Sequence, residues 1–241
     1  MITLILINKN KGHKMKKLTL AILLLLASFS MVSAEIGFKI GVSAQLGEFE
    51  TSGSEVEDTD DTSAILREQA FIGMGSFFIE QNLGFLPGPL KRVSLGYSNV
   101  MHDLKSGTSS NVRTDLGAAA GAGANVPVTQ SISVDLQNIE SYYATIAIFD
   151  WLYVKGGSID FDVKTTENLE TGGTYPNTAL SGDVYGFGLH HQTDSGFFGR
   201  VEYLTTDIGG VTLVNETNAN TSVTLKELTG ETLQVSFGKA F

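Results

Sequence analysis

The 241-residue chain has no cysteine. That excludes a disulfide framework, thiolate metal sites, thiol nucleophiles and the lipid-modified cysteine of a lipoprotein anchor. Charge is also scarce. Only 17% of residues are Asp, Glu, Lys or Arg, and 16 Lys plus Arg stand against 26 Asp plus Glu, giving a net charge of -10. The sequence pI near 4.8 leaves no basic stripe to neutralise phosphates, so nucleic acid is excluded as a partner. Beyond the N-terminal segment no stretch carries apolar residues at helical spacing, and four prolines leave long segments free to run as strands.

The N-terminal segment reads as an export address. Met15 is followed by Lys16 and Lys17, an apolar run from Leu18 to Val32, and the small-x-small end Val32-Ser33-Ala34. This is the layout of a secretory signal peptide over residues 15–34, with cleavage expected after Ala34. Residues 1–14 are expected to lie upstream of the true start, and residues 35–241 to form the mature domain. Removing residues 1–34 takes away five lysines and no acid, which leaves 11 bases against 26 acids and a net charge of −15.

The mature chain alternates in twos, the pattern of strands with one apolar face. Ile36, Phe38, Ile40, Val42, Ala44 and Leu46 oppose Gly37, Lys39, Gly41, Ser43 and Gln45. Val93, Leu95, Tyr97, Asn99 and Met101 oppose Arg92, Ser94, Gly96 and Ser98. One unbroken phase is expected from Ile132 through Leu136, Asn138, Glu140 and Tyr142 to Ile148. Tyr185, Phe187, Leu189 and His191 oppose Gly186, Gly188 and His190, and Leu233, Val235, Phe237, Lys239 and Phe241 close the chain. Residues 66–80 and 152–163 fit either phase, with Gly156-Gly157 a candidate bulge.

Eight strands are predicted, at 36–46, 66–80, 91–101, 131–148, 152–164, 181–192, 197–208 and 221–241. Long connections (47–65, 102–130, 165–180, 209–220) alternate with short ones (81–90, 149–151, 193–196). Such parity is that of an up-and-down transmembrane β-barrel, with short turns on the periplasmic side, long loops outside and an apolar exterior. A hairpin within 209–225 would raise the count to ten. Because backbone groups in hydrocarbon must be paired, the sheet is expected to close on itself.

Three sets of residues follow from this frame. Lys39, Arg92, Arg200 and Glu202 fall on the polar phase and form a candidate lumen charge network, which Lys155 joins if Leu152 and Val154 face outward. Aromatic residues cluster at the short turns, so Phe77, Phe78, Trp151, Tyr153, Phe197, Phe198 and Phe237 form a candidate periplasmic girdle. The chain ends in QVSFGKAF, with Leu233, Val235, Phe237 and Phe241 on every second or fourth position.

With those residues in view the chain resembles the small eight-stranded outer-membrane barrels of the OmpA, OmpX, OmpW and opacity-protein type. The resemblance covers residues 35–241 as an architecture, and it implies that the last strand is the recognition strand read by the barrel-assembly machinery. Lys239 departs from it, standing where an apolar or aromatic residue is usual. Eight-stranded lipid A deacylases of similar build carry His-x-Ser on one strand and a Glu on the next. Here His191-Gln192-Thr193 and Glu202 differ in the nucleophile and in the phase of the Glu.

Other candidates read plainly. The stretch GEFETSGSEVEDTDD (residues 47–61) is a solvated acidic loop, or a site where divalent cations bridge it to lipopolysaccharide phosphates. His190 and His191 point to opposite faces and do not form a metal pair. Leu116–Asn125 is a glycine-rich loop outside the context of a phosphate loop. Asn215-Glu216-Thr217 and Asn220-Thr221-Ser222 mark an exposed polar loop.

The expectation is therefore an integral bacterial outer-membrane protein with a structural or surface-interaction role, no enzymatic activity and no cofactor. A narrow passive channel for small solutes is the alternative, and a lipid A-modifying enzyme a third. Expected partners are outer-membrane lipids and lipopolysaccharide, the barrel-assembly machinery, and an extracellular ligand or phage at the loops.

Overall fold

The computed structural model describes residues 37–56, 66–105, 109–113, 128–168, 174–217, 219–220 and 222–241. The signal-peptide segment, the acidic stretch beyond Val56 and the glycine-rich 116–125 lie outside the described residues. Among the described residues there are twelve strands: β1 (Phe38–Val56), β2 (Leu66–Asn82), β3 (Val93–Val100), β4 (Leu104–Lys105), β5 (Ser109–Arg113), β6 (Val128–Ala147), β7 (Leu152–Asn168), β8 (Thr178–Gln192), β9 (Phe197–Ile208), β10 (Val211–Val214), β11 (Ser222–Leu225) and β12 (Leu228–Ala240). A short 3-10 helix, Gly88–Arg92, sits in the first short turn.

Eight of these strands make the wall, in the order β1-β12-β9-β8-β7-β6-β3-β2, and β2 pairs back with β1 to close an all-antiparallel barrel. The remaining four do not add to the wall. β11 continues β12, both pairing with β1, while β10 continues β9 and pairs with β11. The barrel is therefore eight-stranded, and the hairpin near residues 211–225 is an upward extension of the last hairpin. β4 and β5 likewise continue β3 along β6. Much of what reads as long loop in the sequence is strand, because local stretches such as Thr51, Ser52, Gly53 and Ser54 are polar on both faces and show no two-residue period.

Burial assigns the faces. On β9, Phe198, Arg200, Glu202, Leu204, Thr206 and Ile208 are buried, whereas Phe197, Val201 and Tyr203 are exposed. On β12, Leu233, Val235 and Phe237 are more than half exposed, with Thr232, Gln234 and Ser236 buried between them. An exterior of exposed Val, Leu, Phe and Tyr around a polar interior inverts the polarity of a soluble barrel, and it is the arrangement of one that crosses a membrane.

Six of the outward rows run free of Asp, Glu, Lys and Arg, apart from Lys239 at the short-turn rim of β12, until a carboxylate ends them at the long-loop side. That residue is Glu48 on β1, Glu140 on β6, Asp160 on β7, Asp183 on β8, Asp207 on β9 and Glu231 on β12. Register places these carboxylates at one level, since Glu48 pairs with Glu231, Glu140 with Asp160, and Asp183 with Asp207. From Phe197 to Asp207 the strand rises roughly 33 Å along its own axis. At a tilt near 40° that is roughly 25 Å of height, the apolar band of a transmembrane barrel. Val235 lies midway down its row. Val235→Arg is expected to cost about 2–4 kcal/mol of folding stability in lipid vesicles. Denaturant titration in vesicles measures it, and a loss below about 0.5 kcal/mol would place that row in water.

Above the carboxylate ring the polarity turns over. Ile139, Phe161, Leu180 and Ile208 are buried together inside the barrel, packed by Val100, Leu104, Leu136, Ile159, Val163, Val211, Leu225 and Leu228. This upper core is ordinary soluble packing, apolar within and acidic without. On β7 the switch needs no bulge: Leu152 and Val154 face outward, then Ile159, Phe161 and Val163 face inward with Asp160 and Asp162 outside. The expected bulge at Gly156-Gly157 is corrected accordingly, as both residues stay in regular register with Ala144 and Tyr143. The bulge is on β6 instead, where register shifts between Gln137 and Glu140 and Asn138 takes φ 52°. The single phase expected for 132–148 is thus broken, with Leu136 and Ile139 both turned inward.

Candidate functional site

The interior of the membrane-spanning zone holds the charges. Arg200 reaches from β9 to Glu80 of β2, three strands away around the wall. Its Nη1 donates to Glu80 Oε1 and its Nη2 to Oε2 at 2.6 Å. Tyr143 donates to the same Oε1 at 3.1 Å, and Lys39 Nζ lies 4.0 Å from Oε2. Lys155 pairs with Glu202 at 3.2 Å. Gln234 donates to the other Glu202 oxygen and to Ser236 at 3.1 Å, while Ser43 and Ser236 share a 2.9 Å bond. Buried charge is tolerable only when paired and hydrogen-bonded. Here Glu80 and Glu202 are both 2% exposed, and each has a cation and a neutral donor.

The structure brings together Lys39, Lys155, Arg200 and Glu202 but not Arg92. Arg92 lies in the 3-10 helix, exposed at the mouth, and donates to the Ile148 carbonyl at 3.3 Å. Its place in the network is taken by Glu80, which the sequence reading left out because residues 66–80 fitted either phase. A carboxylate two residues from Phe78 on the phase of Ser76 was the available signal.

The expected girdle divides. Trp151, Phe197 and Phe237 are exposed on the outside, with Phe197 and Phe237 stacked at 6.0 Å and Phe149 stacked on Trp151 at 5.6 Å. Phe77 is outward and half-buried against Tyr97. Phe78, Tyr153 and Phe198 are corrected: they point into the lumen, at 2%, 6% and 1% exposure. There they surround the Arg200 guanidinium, whose carbon lies 5.5, 5.4 and 4.8 Å from their ring centres.

A narrow lumen accepts such rings because each lies across a glycine. Phe78 is paired with Gly41, Tyr153 with Gly188, Phe198 with Gly238 and Tyr143 with Gly96. A Cβ built on any of these glycines would sit 2.3–2.5 Å from its nearest neighbour, in each case a ring atom of the partner or a backbone oxygen. Ring over glycine is one unit of filling, and it needs no wider barrel.

A second girdle was not foreseen. Tyr97 and Tyr142 donate to Glu140 at 3.0 and 3.3 Å, and Tyr185 donates to Asp207 at 3.0 Å. Each ring lies in the apolar band and lifts its hydroxyl to the carboxylate ring, the behaviour of interfacial tyrosine. At the opposite interface Lys239 holds its ammonium 4.8 Å from the Phe197 ring centre and 5.8 Å from that of Phe241. The cation thus stays at the rim and out of the hydrocarbon. Phe241 itself accepts from Gly37 N and donates to Phe38 O, tying the chain end to β1. Leu233, Val235 and Phe237 keep the outward row.

No enzyme-like constellation is assembled from His191, Thr193 and Glu202. His191 is on the outward row, Glu202 is buried inside against Lys155, and the Thr193 hydroxyl bonds Phe197 O at 3.1 Å. His190 points inward, with Arg200 Nε donating to its Nδ1 at 3.4 Å. Among the described residues no group of three or more His, Asp or Glu is placed to hold a metal ion. In the extracellular extension Lys105 donates to Asp135 at 2.8 Å, which raises the lysine pKa.

The lumen therefore has layers. A cleft of about 230 Å³ opens at the short-turn end, lined by Lys39, Arg92, His190 and Arg200 among others. Above it stands the Glu80–Arg200 and Lys155–Glu202 layer, then a small void of about 40 Å³ touching Gln45, Met74 and Thr206. The apolar core of Ile139, Phe161, Leu180 and Ile208 closes the top.

No family model and no curated protein matches the chain. Among solved structures, similar ones are bacterial outer-membrane barrels. Neisserial surface protein A is 10% identical, with a TM-score of 0.39 over 85% of this chain and 97% of that one. The outer-membrane protease OmpT from Escherichia coli is 9% identical, with a TM-score of 0.42 over 88% and 100%. The outer-membrane protein OprG from Pseudomonas aeruginosa is 8% identical, with a TM-score of 0.39 over 86% and 99%. Likeness at this level carries no residue role across, and the barrel assignment rests on the closed pairing and the inverted faces themselves.

Proposed function

We propose that this chain is an integral outer-membrane protein of a Gram-negative envelope, exported by the segment at residues 15–34, with a structural or surface-interaction role and no enzymatic activity. The observation that carries the reading is the double closure of the lumen. The ion layer obstructs the middle, with Glu80 and Arg200 spanning the interior and three aromatic rings around the guanidinium. The apolar core obstructs the top. What remains available for contact is the outside: lipid and lipopolysaccharide along the apolar band, the barrel-assembly machinery at Leu233, Val235, Phe237 and Phe241, and a ligand or phage at the strand extensions above the carboxylate ring.

Only the polar lower half of the lumen favours a narrow passage for small solutes. The two readings separate in planar bilayers. The refolded barrel is expected to give no steady conductance above the bare membrane, and stable unitary steps would establish the channel.

A further inference from the structure

The cleft at the short-turn end differs in charge from the rest of the molecule. Lys39, Lys91, Arg92 and Arg200 line it together with His190, and Asp150 is the one acid among its lining residues. Glu80, just above, is already engaged by Arg200. Four cations against those two carboxylates leave a positive vestibule in a mature chain that carries a large negative charge. The cleft is partly enclosed, since Arg200 is 6% exposed and the Lys39 side chain only 18%.

Tyr153 also lines the cleft, 6% exposed, with its hydroxyl set on the Glu202 side. Asn82 and Ser94, bonded to each other at 3.2 Å, add polar atoms to the wall. Guanidinium and ammonium donors converging on a small cleft suit a tetrahedral oxyanion.

We propose that the periplasmic mouth of the barrel binds a phosphate group, with Lys39, Lys91 and Arg92 as its cationic walls. Two sources carry that chemistry: free inorganic phosphate, and the headgroup of a phospholipid from the adjacent leaflet. The site opens at the end where the first short turn places Lys91 and Arg92, so binding there does not depend on what the opposite, loop-bearing end touches.

The test uses the full mature barrel refolded in an uncharged detergent at low ionic strength. Isothermal titration with inorganic phosphate is expected to give a saturable single site, weakened about tenfold by the double substitution Lys91→Gln, Arg92→Gln. Both side chains are exposed, so the variant is expected to keep its heat-modifiable migration, which reports folding directly. In parallel, native mass spectrometry of the barrel extracted from membranes identifies the source. One retained phospholipid, lost in the double variant, assigns the headgroup. Saturable phosphate binding without a retained lipid assigns the free anion. Absence of both saturable heat and retained lipid overturns the proposal, as does equal binding by the wild type and the folded double variant.

Discussion

Arg200→Ala is expected to destabilise the barrel by about 3–5 kcal/mol, the cost of leaving a buried charge without its partner. Glu80, 2% exposed in the intact barrel, would keep only the Tyr143 hydroxyl and a Lys39 ammonium 4.0 Å away as partners. The three rings around the guanidinium would lose their centre as well. Arg200→Lys is expected to recover little, because one ammonium cannot make the paired Nη1 and Nη2 contacts. The double substitution Glu80→Gln, Arg200→Met should cost much less than Arg200→Ala, since it removes both charges and keeps volume. Urea unfolding in vesicles, followed by the single tryptophan, Trp151, measures all three. A loss below about 1 kcal/mol for Arg200→Ala would show that water reaches Glu80 and that the lumen is not sealed around the pair.

The parts of this fold that were readable from sequence are those where one physical demand acts alone. Where lipid lies outside and a narrow polar lumen inside, every second residue is apolar, so the faces of β1, β3, β9 and β12 follow from alternation. At the extracellular boundary the demand reverses. Water then lies outside and a small core inside, so the apolar positions move to the other phase with the strand itself unbroken. Residues 152–163 look ambiguous for that reason: Leu152 and Val154 answer to lipid, Phe161 and Val163 to the upper core. On β6 the reversal is accompanied by a bulge at Asn138, which no composition signal announces.

The aromatic rings show a different gap. Their clustering near short turns was visible, but direction was not, because the sequence does not display cross-strand partners. Phe78, Tyr153 and Phe198 go inward since Gly41, Gly188 and Gly238 stand opposite them. Phe197 and Phe237 go outward on rows continuous with Val201 and Val235. Arg92 was misplaced by one turn of 3-10 helix, which takes its side chain out of the strand phase and leaves it at the rim. Glu80 could be found only once β2 was phased by its pairing with β1, where it stands opposite Lys39.

Phe161→Ala tests the upper closure separately from the lower one. Phe161 is 5% exposed and pairs directly with Leu180 within the core it shares with Ile139 and Ile208. Truncation removes the ring and leaves a cavity that strands held by a closed ladder can only partly refill, so a loss of about 3–5 kcal/mol is expected. The same urea titration measures it. Conductance is expected to stay at the bare-membrane level, because the Glu80–Arg200 layer lies below and is untouched. If Phe161→Ala alone produced steady unitary currents, the ion layer would have to be permeable and the apolar core the only barrier. If the stability loss were below about 1 kcal/mol, the upper core would not be part of the cooperative barrel, and the turnover of polarity at the carboxylate ring would mark the edge of an independently opening cap.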